Sequence, residues 1–181
     1  MMKMMLIVLY LLAIVLANVV TASLDPVLWG KLIIPAGSFL IGATFILRDL
    51  VQRAIGRPRT YLAIGAAMIL SAASSWSLGD TLWITAASTV TFLCSETADT
   101  EIYTRLRMSL SLRVLYSGIV GGMIDSAIFV VIGLSPLGAG FLPWSLVGYA
   151  IAGQIVVKVV MQGIGALGIH LMPAGQASVK V

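Results

Sequence analysis

Long apolar stretches follow one another along almost the whole chain, and polar residues interrupt them only briefly. A helix needs about 20 apolar residues to cross a hydrocarbon core of about 30 Å, and six stretches have roughly this length. Strands of a membrane barrel would instead alternate apolar and polar residues. The pattern therefore predicts an all-α, polytopic membrane protein with six transmembrane helices, at residues 4–22, 32–51, 61–78, 81–104, 114–134 and 144–171.

The composition is typical of this class. The 181 residues are 60% hydrophobic, their mean hydropathy is +1.07, and only 10% are charged, against roughly 25% in soluble domains. No linker or charge block divides the sequence. We therefore expect residues 1–181 to form a single transmembrane domain. The first stretch exceeds the apolar core of a signal peptide, so we expect it to be retained.

The positions of the basic residues predict an orientation. With a cytoplasmic N-terminus, nine of the eleven Lys and Arg residues fall at cytoplasmic ends of the spans: Lys3, Arg48, Arg53, Arg57, Arg59, Arg105, Arg107, Arg113 and Lys180. The opposite side holds Lys31, and Lys158 lies within the last span. The positive-inside rule thus predicts a multi-pass membrane protein with both termini cytoplasmic. Basic residues at the membrane edges account for the net charge of +4. We therefore expect a lipid bilayer as partner and no nucleic acid.

Polar and ionisable residues inside the spans recur at helical spacing and so share single helix faces. A charge in mid-membrane costs roughly 2.5–3.5 kcal/mol and usually faces the bundle interior or a water-filled cavity. Amides, carboxylates and aromatic rings together suit a flat solute that forms hydrogen bonds. We therefore predict a substrate-binding site for a small molecule at Asn18, Phe45, Asp49, Phe92, Glu96, Asp99, Asp125, Gln154, Lys158 and Gln162.

Some of these residues allow a second interpretation. Asp125 and Lys158 could form a buried ion pair that only joins two helices, and Gln154 and Gln162 could form hydrogen bonds between helices. The chain has a single cysteine and a single histidine, and it lacks HExxH, GxSxG and Walker A motifs. We therefore expect no enzyme activity, no metal and no cofactor. An intramembrane enzyme built on paired acids remains the weaker alternative.

Four segments resemble a known family. Residues 35–56 are similar to the second-helix signature of the VUT family of vitamin uptake transporters, which includes bacterial queuosine-precursor transporters. Residues 95–107 resemble its fourth-helix motif and residues 117–129 its fifth-helix motif around an Asp-Ser pair. Lys158 occupies the position of the lysine in the sixth helix. Arg48 and Glu96 stand where related members can carry neutral side chains, which leaves the particular substrate open.

The resemblance implies import of 7-deazaguanines such as preQ0, preQ1 or queuine, which feed tRNA modification, across the cell inner membrane. It also implies a fold similar to the substrate-binding components of energy-coupling-factor transporters. On this basis Glu96 or Asp99 would read the guanidine-like edge of the base, and Gln154, Gln162 or Asn18 its carbonyl. The alternative is a substrate-capture subunit that needs a separate ATPase module. The candidate protein partners are thus such an energising module or a second copy of the chain, forming a homo-oligomer.

Overall fold

Six helices and one short β-hairpin make up the fold in a computed structural model that describes residues 2–171. The elements are α1 (Met2–Ser23), β1 (Val27–Trp29), β2 (Leu32–Ile34), α2 (Ser38–Ile55), α3 (Arg57–Ser77), α4 (Leu82–Arg105), α5 (Leu110–Ile128), a π-helical segment (Phe129–Leu134) that continues α5, and α6 (Trp144–Leu171). Three of the helices, α1, α5 with its π-helical continuation, and α6, are long and apolar enough to cross a membrane. The predicted all-α membrane class is confirmed, and the count of six spans stays a prediction.

Helix α2 lies at the centre of the bundle and contacts each of the other five helices. Its buried residues include Arg48, Asp49 and Gln52. A helix enclosed by other helices does not face lipid, so it can carry polar groups that would be costly on the lipid-facing side. The polar side chains of α2 therefore follow from its central position.

The apolar run that starts at Leu32 is not one helix, so the predicted start of the second span is wrong. Residues 32–34 pair antiparallel with residues 27–29. The turn between them contains Gly30, whose φ of 59° suits a residue without a side chain. Pro35 then follows, and proline both lacks an N–H and keeps the preceding residue extended. Helix α2 consequently begins only at Ser38.

Consecutive helices run in opposite directions, which gives the bundle two distinct ends. One end, the hairpin side, carries the hairpin and residues 78–81 and 135–143. The other end, the arginine side, carries the tight α2–α3 turn at Gly56 and residues 106–109, next to most of the arginines. Lys180, which the charge pattern assigns to the cytoplasm, lies outside the described residues. The orientation of these two ends in the membrane stays a prediction.

Glycines on α5 let the neighbouring helices approach closely. A Cβ atom at Gly121 would lie 2.9 Å from Asp99 Cβ and 3.1 Å from Phe45 Cε1, well inside the optimal separation of about 3.5–4.0 Å for carbon atoms. At Gly122 it would lie 3.2 Å from Lys158 Cβ. Small residues here bring α5 against α2, α4 and α6.

We expect Gly121→Ala to destabilise the protein by about 1–3 kcal/mol, since overpacking forces neighbouring side chains from their positions. Gly65→Ala in α3 is the matched control because nothing lies within 4 Å of the added Cβ. There we expect unchanged stability or a gain of up to about 1 kcal/mol from helix propensity. Thermal unfolding of the two purified variants in detergent measures the difference. Equal stability of both would contradict the close packing at Gly121.

Candidate functional site

A cavity of about 450 Å³ lies in the hairpin-side half of the bundle. Its walls come from the end of α1, the hairpin, the start of α2, the end of α3, the start of α4, the end of α5 with the π-helical segment, and the first half of α6. Small-molecule sites usually measure about 300–1,000 Å³ and are mostly apolar with a few polar groups. The cavity therefore fits a small organic molecule.

Five of the ten predicted site residues line this cavity: Asn18, Phe92, Asp125, Gln154 and Lys158. Lys158 organises this set. Its Nζ donates to Asp125 Oδ2 at 2.5 Å, to Ser126 Oγ at 2.9 Å and to Gln154 Oε1 at 3.1 Å. An ammonium group has three hydrogens, so all of them are in use. Lys158 thus holds an acid and an amide side by side at the cavity wall.

This arrangement fixes which atoms of the amide and the acid remain available. Because an ammonium group only donates, the oxygen of Gln154 must face Lys158. The Gln154 Nε2 atom is buried and has no hydrogen-bond partner among the described residues. Asp125, whose side chain is 15% exposed, keeps its second carboxylate oxygen as an acceptor. A donor and an acceptor therefore stand next to each other at the cavity.

Two further polar groups complete the wall. Asn18 Nδ2 donates to the Ser71 carbonyl at 3.1 Å and to Ser74 Oγ at 2.7 Å, so its side-chain oxygen is left as an acceptor. Thr91 Oγ1 is buried and, within residues 2–171, has no partner. Buried polar groups without partners are rare in native proteins. Two such atoms, Gln154 Nε2 and Thr91 Oγ1, belong to residues that line the cavity.

Sequence reasoning missed part of this wall. Asp80, which the topology assigns to an outer loop, lines the cavity and accepts from Ser75 Oγ at 2.5 Å. Thr91 was also missed, although it lies on the same helix face as Ser88 and Ser95, three and four residues away. That spacing is the signal which could have identified it. The hydroxyl groups of Ser38, Ser71, Ser75 and Ser88 belong to residues that line the same cavity.

The other five predicted site residues lie outside the cavity walls: Phe45, Asp49, Glu96, Asp99 and Gln162. Gln162 Nε2 donates to the Gly42 carbonyl at 2.7 Å and so joins α6 to α2. Phe45 is buried against α5. Whether any of these five contacts a substrate stays a prediction.

The three acids in this second group surround Arg48, and together they form a buried charge cluster of Arg48, Asp49, Glu96 and Asp99. Arg48 Nη1 lies 2.9 Å from Asp49 Oδ1, and Nε lies 3.2 Å from Glu96 Oε2. Its Nη2 contacts Asp99. All four side chains are at most 1% exposed. Arg48 is therefore not a charge that marks the cytoplasmic end of a span, as the charge pattern predicted, because its counter-charges come from within the bundle.

Within residues 2–171, no group of His, Cys, Asp and Glu side chains has the arrangement of a metal site. The Arg48 guanidinium lies between the three acids of the buried charge cluster.

A bundle of apolar helices around a partly open, mostly apolar cavity with a few polar groups is typical of a multi-pass membrane protein that binds a small molecule. A family model described as "Putative vitamin uptake transporter" matches residues 72–171, which is more than half of the chain. The chain belongs to this family of transporters, as the motifs in α4, α5 and α6 predict. The match includes Phe92, Asp125, Gln154 and Lys158 but not α1 or α2.

Neither a curated protein nor a solved structure matches the chain. The expected similarity to the substrate-binding components of energy-coupling-factor transporters accordingly stays a prediction.

Proposed function

We propose that this transporter imports queuosine precursors, 7-deazaguanine bases such as preQ0, by binding them in the cavity. The observation that carries the proposal is the adjacent acceptor of Asp125 and unpaired donor of Gln154, both held by Lys158. A guanine-type base presents a complementary edge, in which two N–H donors stand beside one carbonyl oxygen.

Each group of the base has a partner at the cavity wall. A carboxylate can accept two N–H bonds side by side, so Asp125 receives the ring N–H and the exocyclic amine. Gln154 Nε2 then donates to the carbonyl oxygen. This replaces Glu96 and Asp99 in the sequence-based hypothesis, since those two acids lie outside the cavity walls. Phe92 and Phe129, which line the cavity, supply aromatic faces for the ring.

The position of the cavity supports uptake as the direction of transport. It lies on the hairpin side, which the positive-inside pattern assigns to the outside of the inner membrane. A solute arriving from outside would therefore reach the polar wall before the buried charge cluster. Both termini are cytoplasmic in this arrangement.

The test is a binding and uptake screen with the full-length protein. Purified protein is titrated with preQ0, preQ1, queuine, guanine and riboflavin, and liposomes containing only this protein are assayed for uptake of the same compounds. We expect the deazaguanines to bind most tightly and to enter the liposomes. Binding without uptake would favour the alternative of a capture subunit that needs an ATPase module. Preference for riboflavin would overturn the proposed substrate.

Within this screen, Thr91→Val tests the unpaired hydroxyl. We expect affinity for preQ0 to fall about three- to tenfold, the equivalent of one neutral hydrogen bond of about 0.5–1.5 kcal/mol. Stability of the empty protein should stay the same or rise, because an unpaired buried hydroxyl is removed. Thr44→Val is the control, since Thr44 Oγ1 donates to the Ile41 carbonyl at 2.8 Å and lies outside the cavity walls. Equal affinity of both variants would exclude Thr91 from the site.

A further inference from the structure

The buried charge cluster contains three acids and one base. If Asp49, Glu96 and Asp99 were all ionised, Arg48 would leave two negative charges unbalanced in the interior of the bundle. Each buried ion costs several kcal/mol unless it is paired, and such a group neutralises itself by binding a proton. The cluster is therefore electrically neutral when its acids hold two protons.

Within the described residues, the basic residues of the neighbouring helices do not neutralise these two negative charges. Lys158 of α6 is paired with Asp125 of α5. On the arginine side, the Arg113 guanidinium stacks over the Tyr103 ring at 4.0 Å and donates to the Tyr103 carbonyl at 3.0 Å. Arg53 lies near Tyr103 as well but, within the described residues, forms no ion pair with the cluster.

The remaining helices contribute hydroxyl groups. From α3, Tyr61 donates to Glu101 at 2.6 Å, away from the cluster. From α5, Ser117 Oγ donates to Asp49 Oδ2 at 3.2 Å. From α1, the buried Tyr10 hydroxyl lies near Glu96.

Tyr10 adds a buried hydroxyl group beside the cluster. Its hydroxyl is completely buried and, within residues 2–171, has no hydrogen-bond partner. A phenol can donate to a carboxylate and can accept from a protonated acid, so it can serve Glu96 in either state. Asp99 Oδ1 also lacks a hydrogen-bond partner there.

Glu96 connects the cluster with the cavity. It follows Phe92, which lines the cavity, by one helical turn. Side chains four residues apart on a helix are neighbours, with about 5–6 Å between their Cβ atoms. No other acid of the cluster stands one turn from a residue of the cavity wall on the same helix.

We propose that the buried charge cluster is a proton-binding site, and that Glu96 exchanges its proton with the cavity so that solute and proton enter together. A proton from the cavity binds a carboxylate oxygen of Glu96 and forms the neutral acid. It later leaves as a proton toward the arginine side, and the carboxylate is restored. The coupling rests on the proposed uptake function, whereas the proton site does not.

Infrared spectroscopy of the purified full-length protein tests the proton site without any substrate. At neutral pH we expect the C=O stretch of a protonated carboxylic acid, with lower intensity in Glu96→Gln. Glu101→Gln is the control, since Glu101 pairs with the exposed Arg57 and Arg105, and it should leave the band unchanged. Absence of the band in the unmodified protein overturns the proposal. An unchanged band in a monodisperse Glu96→Gln sample does so as well.

Liposomes test the coupling with preQ0, an uncharged base. With an outside-acid gradient of about one pH unit, we expect about tenfold accumulation for each proton carried. Glu96→Gln should still equilibrate preQ0 across the membrane but lose this accumulation. If the unmodified protein accumulates preQ0 to the same extent with and without the pH gradient, the proposed coupling is wrong. If the infrared band is present and preQ0 does not move, the substrate assignment fails and the proton site stands.

Discussion

Arg48→Met is expected to destabilise the protein by about 3–5 kcal/mol, the cost of leaving a buried charge without its partner. Methionine keeps much of the length of the side chain but removes the only positive charge among Asp49, Glu96 and Asp99. It also removes the donors to Gln52 Oε1 at 2.9 Å and to Thr100 Oγ1 at 3.2 Å. Thermal unfolding in detergent and the yield of monodisperse protein measure the loss.

The control for this variant is Arg105→Met. The Arg105 side chain is 78% exposed and pairs with Glu101 one turn away, and such surface pairs contribute about 0–1 kcal/mol. A compensating variant sharpens the test: Arg48→Met combined with Glu96→Gln and Asp99→Asn should recover part of the lost stability. Equal stability of Arg48→Met and Arg105→Met would show that Arg48 does not balance the buried acids.

Asp125→Asn is expected to weaken preQ0 binding about 10- to 150-fold, which corresponds to about 1.5–3 kcal/mol for hydrogen bonds to a charged group. Asparagine still offers a carbonyl oxygen to Lys158 but removes its counter-charge, so we expect a loss of stability as well. It cannot accept the two adjacent N–H groups of the base as a carboxylate does. Isothermal titration of the purified variant measures the affinity, and its unfolding temperature measures the fold.

Ser126→Ala is the control that separates an effect on substrate binding from an effect on the structure around Lys158. Ser126 Oγ accepts from the same lysine at 2.9 Å but does not line the cavity. We expect a loss of stability of about 0.5–1.5 kcal/mol, typical of one hydrogen bond, with affinity close to that of the unmodified protein. If Asp125→Asn kept full affinity, Asp125 and Lys158 would be a structural ion pair and not part of the binding site.

Long apolar runs predict much of this fold because a helix needs about 20 apolar residues to cross the hydrocarbon core. The predicted last span, 144–171, coincides with α6, and the predicted first span lies within α1. The hairpin was not predicted, since residues 32–34 are as apolar as a helix start and only Gly30 and Pro35 mark the break. The π-helical segment has no signal of its own in a run of apolar residues.

The candidate site was predicted less completely, because helical spacing shows which residues share a face but not at which depth. Asp125, Gln154 and Lys158 were identified and line the cavity, as do Asn18 and Phe92. Glu96 and Asp99 share a helix face with Phe92 but lie beyond the cavity wall, beside an arginine contributed by α2. Arg48 was counted among the basic residues at the ends of the spans. Its burial depends on contacts with other helices, which proximity in sequence cannot reveal.

The central position of α2 has a consequence for the synthesis of the protein. In the predicted six-span topology, an arginine within the membrane makes a single helix costly to insert, by roughly 2.5–3.5 kcal/mol, and α2 also carries Asp49. Glu96 and Asp99, which balance Arg48, belong to α4 and leave the ribosome only after α3 is complete. Nascent α2 therefore has to remain in contact with α1 or with the insertion machinery until α4 is inserted. Assembly in the membrane is thus cooperative, and the middle of the bundle closes late.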